Sequence, residues 1–326
     1  MEAARVTAEY RGLYRIYTAS GETEAQVTGL FRHRVTDPLL FPAVGDWVVV
    51  EPQAHSAPAV IHQVLPRTSQ FVRKAAGAVT EGQIVAANVD TVFLMSGLDH
   101  DLNPRRIERY LVTTWESGAA PVIVLNKAVV HPDLDAAIAR VAAVAPGVPI
   151  HPISAATGNG LGQLDAYLQP GKTVALIGSS GVGKSTLTNY LLGHGHQATQ
   201  AVRTDDSRGR HTTTHRQLLL LPSGALLIDT PGMRELQLWS TEAGLQETFG
   251  DIETLATGCR FRDCQHDKEP GCAVQEAIAA GDLSPQRLLS YQKLQREQRH
   301  LKRKQASGTS QNSKRRWKQI TKTMRR

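Results

Sequence analysis

The sequence has few cysteines, few aromatic side chains and no long hydrophobic run. Its 326 residues include three cysteines, all between positions 259 and 272. They cannot all pair within one chain, so they suit a local metal site in a reducing compartment better than a disulfide framework. No apolar run approaches the ~20 residues that span a bilayer, and residues 1–5 lack the apolar core of a secretory signal. We therefore expect a cytoplasmic monomer that has no membrane partner.

The chain does contain enough apolar sequence for several hydrophobic cores. Its charged residues are unevenly distributed along the sequence. Hydrophobic residues make up 41% of the chain and charged residues 21%, which excludes wholesale disorder. At ~150 residues per domain, the length predicts more than one domain. Residues 286–326 carry 14 Lys and Arg side chains against one acid, Glu297. Such a basic tail is typical of proteins that meet nucleic acid or an anionic surface, although a solvated tail with no partner is the alternative.

The first part of the chain reads as a small β-barrel. Short runs at 13–17, 25–31, 46–51 and 59–65 are separated by glycines and prolines. Several short strands at this spacing predict a barrel over residues 1–70. An OB-fold matches the size, and an SH3-like barrel would look similar.

The next segment, 71–245, alternates strands with helices. Thr91–Met95 is an apolar run typical of a buried parallel strand, and Asn103-Pro104 supplies a cap and an N1 proline for the helix after it. This alternation predicts a doubly wound α/β domain. Residues 246–304 then combine a Cys/His cluster with helices, and the composition of 305–326 predicts a basic tail that is disordered until bound.

A phosphate-binding loop is predicted at residues 178–185, between a strand and an apolar helix. The segment fits G-x-x-x-x-G-K-[ST] and runs Gly178, Ser179, Ser180, Gly181, Val182, Gly183, Lys184, Ser185, with Thr186 next. Glycines let successive N–H groups face a phosphate, and the helix N-terminus adds its dipole. Lys184 would reach the β- and γ-phosphates, and the Ser185 hydroxyl would bind Mg²⁺. A Gly/Ser-rich turn without function is the alternative, and the flanking strand and helix argue against it.

Two further segments would sense the γ-phosphate. Asp229, at the end of a strand, could hold Mg²⁺ through water, and the Gly232 N–H could contact the phosphate itself. Residues 209–215 lie between these elements and offer Thr212, Thr213 and Thr214. One of them would bind Mg²⁺, but the sequence does not say which, and all three could be strand threonines.

Base-recognition elements come before the phosphate loop. Asn126-Lys127 closes one strand and Ser154-Ala155 follows another, as the N-K-x-D and S-A elements do in G proteins. In an ordinary G domain the phosphate loop comes first, whereas here it follows them.

That order marks the circularly permuted GTPases, and with the barrel and the Cys/His cluster the chain resembles the RsgA (YjeQ-type) family. The resemblance covers residues 10–300 and rests also on the segments 44–48 (VGDWV), 87–90 (ANVD), 105–111 (RRIERYL), 209–214 (GRHTTT) and 229–235 (DTPGMRE). It implies a factor that binds the small ribosomal subunit and its rRNA late in assembly. It also implies hydrolysis of GTP to GDP and phosphate, slow until the subunit stimulates it.

Two positions depart from the G-protein pattern. Val129 stands where N-K-x-D has the carboxylate that reads guanine, a loss that should cost roughly 1.5–3 kcal/mol, about 10–150-fold in affinity. Met233 stands where many G proteins have a water-orienting Gln. The resemblance points to His211 as the substitute, with a phosphate- or RNA-facing role as the alternative. A relaxed NTPase and a hydrolysis-poor RNA-binding assembly factor therefore remain open as readings.

A structural zinc site is predicted after the α/β domain. Its ligands would be Cys259, Cys264, His266 and Cys272, the soft donor set of a closed tetrahedral Zn²⁺ site. Buried cysteines without metal are the alternative.

The RNA-binding surfaces would then be the barrel, the zinc domain and the basic tail. Basic residues near the barrel are candidate phosphate contacts, although a solvated face fits each of them equally: Arg32, Arg34, Arg67, Arg73 and Lys74.

Overall fold

The structure is a computed structural model. It describes residues 1–10, 12–35, 37–53, 57–74, 82–99, 101–193, 217–229 and 242–323. Within these ranges the chain forms an N-terminal barrel, then an α/β sheet, then a C-terminal helical unit. None of the helices in the described ranges combines the length and the apolar content that crossing a bilayer requires.

Five strands close the N-terminal barrel. They are β1 (Glu2–Glu9), β2 (Tyr14–Thr18), β3 (Gly21–Val27), β4 (Trp47–Glu51) and β5 (Ala59–Val64). Their order is β1-β2-β3-β5-β4, and β4 pairs back with β1. Only the β3–β5 pairing within the barrel is parallel. This closed five-stranded order is that of an OB-fold and confirms the predicted fold class.

Two details of the barrel differ from the strands that the sequence predicts. Strand β1 was missed because its first residues, EAAR, have little β propensity, yet Ala4 and Arg5 are buried in the folded barrel. The run predicted as a strand over 25–31 ends at Val27. There the Thr28 hydroxyl accepts a hydrogen bond from the Phe31 N–H at 2.8 Å and begins helix α1 (Gly29–Arg34).

The α/β domain is built on a sheet with helices on both faces, as predicted. After an antiparallel pair, β6 (Gln70–Lys74) and β7 (Gly82–Ala87), come the strands β8 (Thr91–Gly97), β9 (Ala120–Asn126), β10 (Ile150–Pro152), β11 (Thr173–Gly178), β12 (Gln217–Leu220) and β13 (Leu226–Asp229). Their spatial order is β10-β9-β8-β11-β13-β12, all parallel except β12. The helices are α2 (Pro104–Ser117), α3 (Leu134–Ala142) and α4 (Lys184–Leu191). Separate apolar cores fill the two faces.

The barrel and the sheet meet through two of the short segments noted in the sequence. The Asn88 amide donates to the Gly45 carbonyl at 3.0 Å and accepts from the Thr68 N–H at 2.9 Å. Gly45 has φ +90, and a Cβ there would overlap the Ala87 carbonyl. The buried Arg5 guanidinium adds hydrogen bonds to the Asn88 carbonyl and the Thr173 hydroxyl. Segments 44–48 and 87–90 therefore form the joint between the two units.

The C-terminal unit consists of α5 (Glu242–Thr248), α6 (Gly250–Ala256), α7 (Ala273–Ala280) and α8 (Pro285–Thr323). Its core includes Phe249 and Tyr291, whose ring centroids are 5.4 Å apart. Helix α8 continues through 305–323, the segment whose composition predicts a disordered basic tail. That this tail orders only when it is bound stays a prediction.

Segment 105–111 fixes this helical unit to the α/β domain. The Arg287 guanidinium on α8 contacts the Glu108 carboxylate on α2 at 3.0 Å and the Asp251 carboxylate at 2.5 and 2.9 Å. Glu108 and Arg287 are 1% and 5% exposed, so this ion pair is interior. Arg109 adds a second pair with Glu297 at 2.7 Å.

Candidate nucleotide and metal sites

The predicted phosphate loop connects the end of β11 to the start of α4. Gly178 is the last residue of β11 and Lys184 the first of α4. The Lys184 ammonium donates to the Gly178 carbonyl at 2.6 Å and to the Ser179 carbonyl. Ser180 and Ser185 are exposed, and Thr186 is half-buried. The loop thus presents a lysine, hydroxyls and a helix N-terminus together, the groups that bind a phosphate chain.

A single side chain, Asn126, joins the predicted base elements to the phosphate loop. Its amide N–H donates to the Val182 carbonyl at 2.8 Å, and its amide oxygen accepts from the Ala155 N–H at 2.9 Å. Gly183 has φ +101, and a Cβ there would overlap this amide nitrogen. Asn126, Ala155 and Ser154 are all buried. The structure therefore brings together three elements that are far apart in the sequence.

Lys127 has a partner that sequence reasoning missed. Its ammonium lies 2.5 Å from the Asp99 carboxylate, in the loop after β8. The hydrogen bond from Lys127 lowers the pKa of Asp99 below its usual value. In the same loop, the Asp101 carboxylate accepts from the Ser179 hydroxyl and from Arg106. The sequence does contain a signal for these two contacts. Asp99 and Asp101 are acidic residues directly after a buried parallel strand, at the sheet edge where β11 also ends.

The departure at Val129 has a clear structural setting. Val129 lies on a short 3₁₀ turn, Ala128–Val130, with 56% of its side chain exposed. Asp133, four residues further on, caps α3, and its carboxylate accepts the Ala136 N–H at 2.9 Å. That carboxylate is engaged in a helix cap and does not replace the missing one.

The γ-phosphate elements are only partly described. Asp229 is the last residue of β13, which pairs in parallel with β11, so it lies at the sheet edge that carries the phosphate loop. The remaining predicted residues of this group lie outside the described residues: His211, Thr212, Thr213, Thr214, Gly232 and Met233.

The predicted metal ligands converge. The ligand atoms of Cys259, Cys264, His266 and Cys272 all lie within 4.8 Å of one another. The His266 Nδ1 atom is 3.6 Å from the Cys259 sulfur and 3.5 Å from the Cys272 sulfur, and the two sulfurs are 3.9 Å apart. Tetrahedral bonds of about 2.0–2.3 Å give ligand separations of about 3.3–3.8 Å. The cluster therefore fits one tetrahedral metal ion with no open position.

The chain around the cluster presents these ligands to one another. His266 has φ +58, and the Gln275 amide holds its carbonyl at 2.7 Å. Cys272 is the N-cap residue of α7. Burial would raise the pKa of the Cys259 thiol, but hydrogen bonds with the Val274 and Ala273 N–H groups and with the Cys272 and Cys264 side chains together lower that pKa. Thiolate is the form that ligates a metal.

One of the candidate RNA contacts near the barrel is wrong. Arg67 is a structural side chain, because it pairs with the fully buried Asp46 carboxylate at 2.7 Å and donates to the Leu39 and Phe41 carbonyls. A guanidinium that already makes four hydrogen bonds, to three acceptor groups, has little left for a phosphate. Arg32 donates to the Gly12 carbonyl, Arg73 donates to Gln83, and Arg34 is exposed.

The fold and these sites define a class of protein: a circularly permuted P-loop GTPase that carries an OB-fold barrel and a Cys₃His helical unit. A family model described as RsgA GTPase matches residues 64–239. The chain belongs to this family, and it is a GTP hydrolase.

Curated relatives match most of the chain. The small ribosomal subunit biogenesis GTPase RsgA 2 of Lactiplantibacillus plantarum is 51% identical over 90% of this chain and 82% of its own length. The small ribosomal subunit biogenesis GTPase RsgA of Opitutus terrae is 48% identical over 97% of this chain and 89% of its own length.

Solved structures share the fold. YjeQ from Thermotoga maritima matches with a TM-score of 0.67 at 27% identity, over 91% of this chain and 98% of its own. YloQ, described as a circularly permuted GTPase, matches with a TM-score of 0.66 at 24% identity, over 92% of this chain and 96% of its own.

Proposed function

We propose that this chain hydrolyses GTP to GDP and phosphate in the cytoplasm as an assembly factor of the small ribosomal subunit, and that the subunit stimulates the reaction. The proposal rests on relatives that are small ribosomal subunit biogenesis GTPases and are 48–51% identical over at least nine tenths of the chain. The Asn126 bridge between the base elements and the phosphate loop supports it, since it shapes one continuous site for a purine nucleotide.

The chain's own residues divide the work of hydrolysis. The N–H groups of 178–185 would hold the β-phosphate, and the Lys184 ammonium would move from its two loop carbonyls to the β- and γ-oxygens. Mg²⁺, when bound, would neutralise charge on those oxygens, with the exposed Ser185 hydroxyl, one of Thr212–Thr214 and, through water, Asp229 as its holders. The Gly232 N–H would contact the γ-phosphate, and His211 would orient the attacking water because Met233 cannot.

The C-terminal cluster would hold one structural Zn²⁺. The three thiolates and one imidazole are the donor set this ion prefers, and four protein ligands leave no position for chemistry. Its role would be to fix the loop of residues 259–272 against α7 and α8.

In this function, the barrel, the metal-binding unit and the basic helix α8 would contact rRNA. Nucleotide state would set the angle between the G domain and its neighbours through residues 209–215 and 229–235. Scattering profiles that are identical with GDP and with a non-hydrolysable GTP analogue would refute this coupling.

Phosphate release from GTP and from ATP, each with and without purified small ribosomal subunits, tests the proposal. We expect GTP turnover to rise only when subunits are added, and Lys184→Ala to lose most of that turnover. Lys172, an exposed lysine just before β11, at the opposite end of that strand from the phosphate loop, provides a matched control as Lys172→Ala. If subunits stimulate the hydrolysis of neither GTP nor ATP, the result would favour a hydrolysis-poor RNA-binding factor.

Val129 supports a second candidate, a relaxed NTPase. Its exposed aliphatic side chain offers no acceptor for the guanine N1–H and 2-amino groups. Stimulated hydrolysis of ATP at a rate equal to that of GTP would establish this alternative and leave the ribosomal role intact.

A further inference from the structure

Among the described side chains of the C-terminal unit, one aromatic ring lies outside the core of the unit. Phe261 is 41% exposed, whereas the rings of Phe249 and Tyr291 are buried in the core of the same unit. That core includes the neighbouring Cys259 and Cys264 but not Phe261. An exposed phenyl ring contributes little to folding, and its surface is open to contact with a partner.

The ring is held on a rigid loop. Phe261 lies between two metal ligands, and its carbonyl accepts a hydrogen bond from the Cys264 N–H at 3.3 Å. The Arg260 N–H donates to the Gly271 carbonyl at 2.9 Å. A partner that contacts Phe261 therefore has little loop to order, which reduces the entropic cost of binding.

Arginine side chains flank the ring. The Arg260 guanidinium lies 5.5 Å from the Phe261 ring centroid. Its stem packs over Gly271, where an added Cβ would come within 3.1 Å of the Arg260 Cβ. Arg262, on the other side in sequence, is exposed. An aromatic ring interleaved with arginines is the arrangement that stacks a base and contacts its phosphates.

The surrounding charge favours an anionic partner. Residues 259–272 hold three basic and three acidic side chains and are neutral as a loop. The Glu269 carboxylate, however, is occupied by the N–H groups of Gln265, Asp267 and Lys268. Helix α8 supplies the excess, with seven basic residues and one acid over 286–304.

Helix α8 lies directly against this loop. The Gln292 amide donates to the Gln265 carbonyl at 3.2 Å, and the Arg299 guanidinium donates to the Gln265 side-chain oxygen at 3.3 Å. The helix therefore brings the Arg299 guanidinium against the same loop that carries the exposed ring.

We propose that Phe261 is a stacking platform for an unpaired base of an RNA strand, whose neighbouring phosphates contact Arg260, Arg262 and Arg299. The inference rests on the proposed RNA-binding function and adds the kind of RNA and the residue that reads it. An acidic peptide would use the same arginines but has no planar group to place on the ring, so we favour RNA.

Fluorescence anisotropy with full-length protein tests the platform, using a labelled 12-nucleotide single strand of RNA and a duplex of the same length. We expect Phe261→Leu, which keeps apolar bulk but removes the ring, to weaken single-strand binding about 5–150-fold. Phe261→Tyr keeps the ring and should bind like the parent. Leu220→Ala, at a 57% exposed position on β12, is the matched control for loss of an exposed apolar side chain.

The comparison between RNA forms separates stacking from charge. Duplex binding should be equal in the Leu and Tyr variants, because paired bases cannot reach the ring. Equal single-strand affinity of these two variants would overturn the proposal, and so would an equal loss for both RNA forms. Binding of polyglutamate that depends on Phe261, with RNA binding that does not, would assign the surface to an acidic protein instead. Zinc content of each variant controls for folding of the loop.

Failure of this inference is distinguishable from failure of the proposed function. Subunit-stimulated GTP hydrolysis is measured on the same preparations. Parent protein that is neither stimulated nor able to bind RNA would refute the proposed function. Parent protein that is stimulated and binds RNA, with a Leu variant that binds equally well, would refute only the platform.

Discussion

At the scale of single residues, the nucleotide site depends on one buried amide and on one substitution close to it. Asn126 contacts both the phosphate loop and the Ala155 backbone, so it holds these two elements together. Three residues later, Val129 leaves the base edge without its usual carboxylate. Asp133 caps α3 instead of taking its place. Recognition of the base is therefore where this chain should differ from a typical G protein.

The Val129→Asp substitution tests that difference. We expect the restored carboxylate to strengthen GTP binding about 10–150-fold while ATP binding stays the same, because only guanine offers it two N–H donors. Competition of GTP, ITP and ATP against one labelled nucleotide measures this. Val129→Asn, which lacks the charge, is the control. No gain for GTP in the Asp variant would mean that another group already reads guanine.

At the scale of elements, short segments that look like binding motifs prove to be joints. Segments 44–48 and 87–90 meet between the barrel and the sheet, and 105–111 carries the ion pairs to the C-terminal unit. Arg67, a candidate contact for an RNA phosphate, forms an ion pair with Asp46 instead. A one-dimensional pattern does not reveal such partners, because they lie 21 to 188 residues away.

Breaking the Arg67–Asp46 pair should destabilise the barrel. Asp46 is fully buried, so Arg67→Ala would leave a carboxylate without its cation, at a cost of about 3–5 kcal/mol. Chemical denaturation followed by circular dichroism measures the change. Arg34→Ala, at an exposed position of the same unit, should change stability by less than ~0.5 kcal/mol. Equal stability of the two variants would contradict the structural role of Arg67.

A metal bound by the Cys₃His cluster would hold together the ends of the loop of residues 259–272, so its removal should unfold this loop and loosen α7. We expect a chelator to lower the melting temperature of the C-terminal unit, and added Zn²⁺ to restore it. Cys264→Ser should behave like the chelated protein, whereas Ser284→Ala, at the start of α8, should keep its metal. Stoichiometric zinc in the Cys264→Ser variant would contradict a four-ligand site.

At the scale of the whole molecule, helix α2 contacts all three units. Its N-terminal turn reaches the phosphate loop through the Arg106–Asp101–Ser179 hydrogen bonds. Its middle pairs with α8, and Gly118 at its end packs against Thr68, where an added Cβ would lie 3.1 Å from the Thr68 carbonyl oxygen. A shift of this helix would therefore change its contacts with the nucleotide site, the barrel and the metal-binding unit at the same time.

The buried pair on α2 gives a dependence of stability on pH. Burial raises the pKa of Glu108 above its usual value, more than the contacts with Ser290 and Arg287 lower it. A carboxyl with a raised pKa in the folded state stabilises fully below its unfolded pKa and loses that contribution as pH rises through the folded pKa. We therefore expect the free energy of unfolding of the parent to fall relative to that of Glu108→Gln as pH increases from about 4.

Denaturation of both proteins across that pH range measures the shift. Glu116→Gln, on the same helix, controls for the loss of one carboxylate. A difference between the parent and Glu108→Gln that does not vary with pH would contradict the raised pKa.

The sequence by itself determined those features of the protein that depend on local chemistry. The phosphate loop, the strand ends that carry Asn126 and Asp229, the α2 caps and the metal ligands follow from residue type and spacing over a few positions. The permuted order of the elements also follows, because order is a property of the chain. Only the tertiary structure decided which side chains serve as joints. Arg67, Glu108 and Asp99 gained their roles from partners on distant elements, and burial rather than sequence spacing determined each of those contacts.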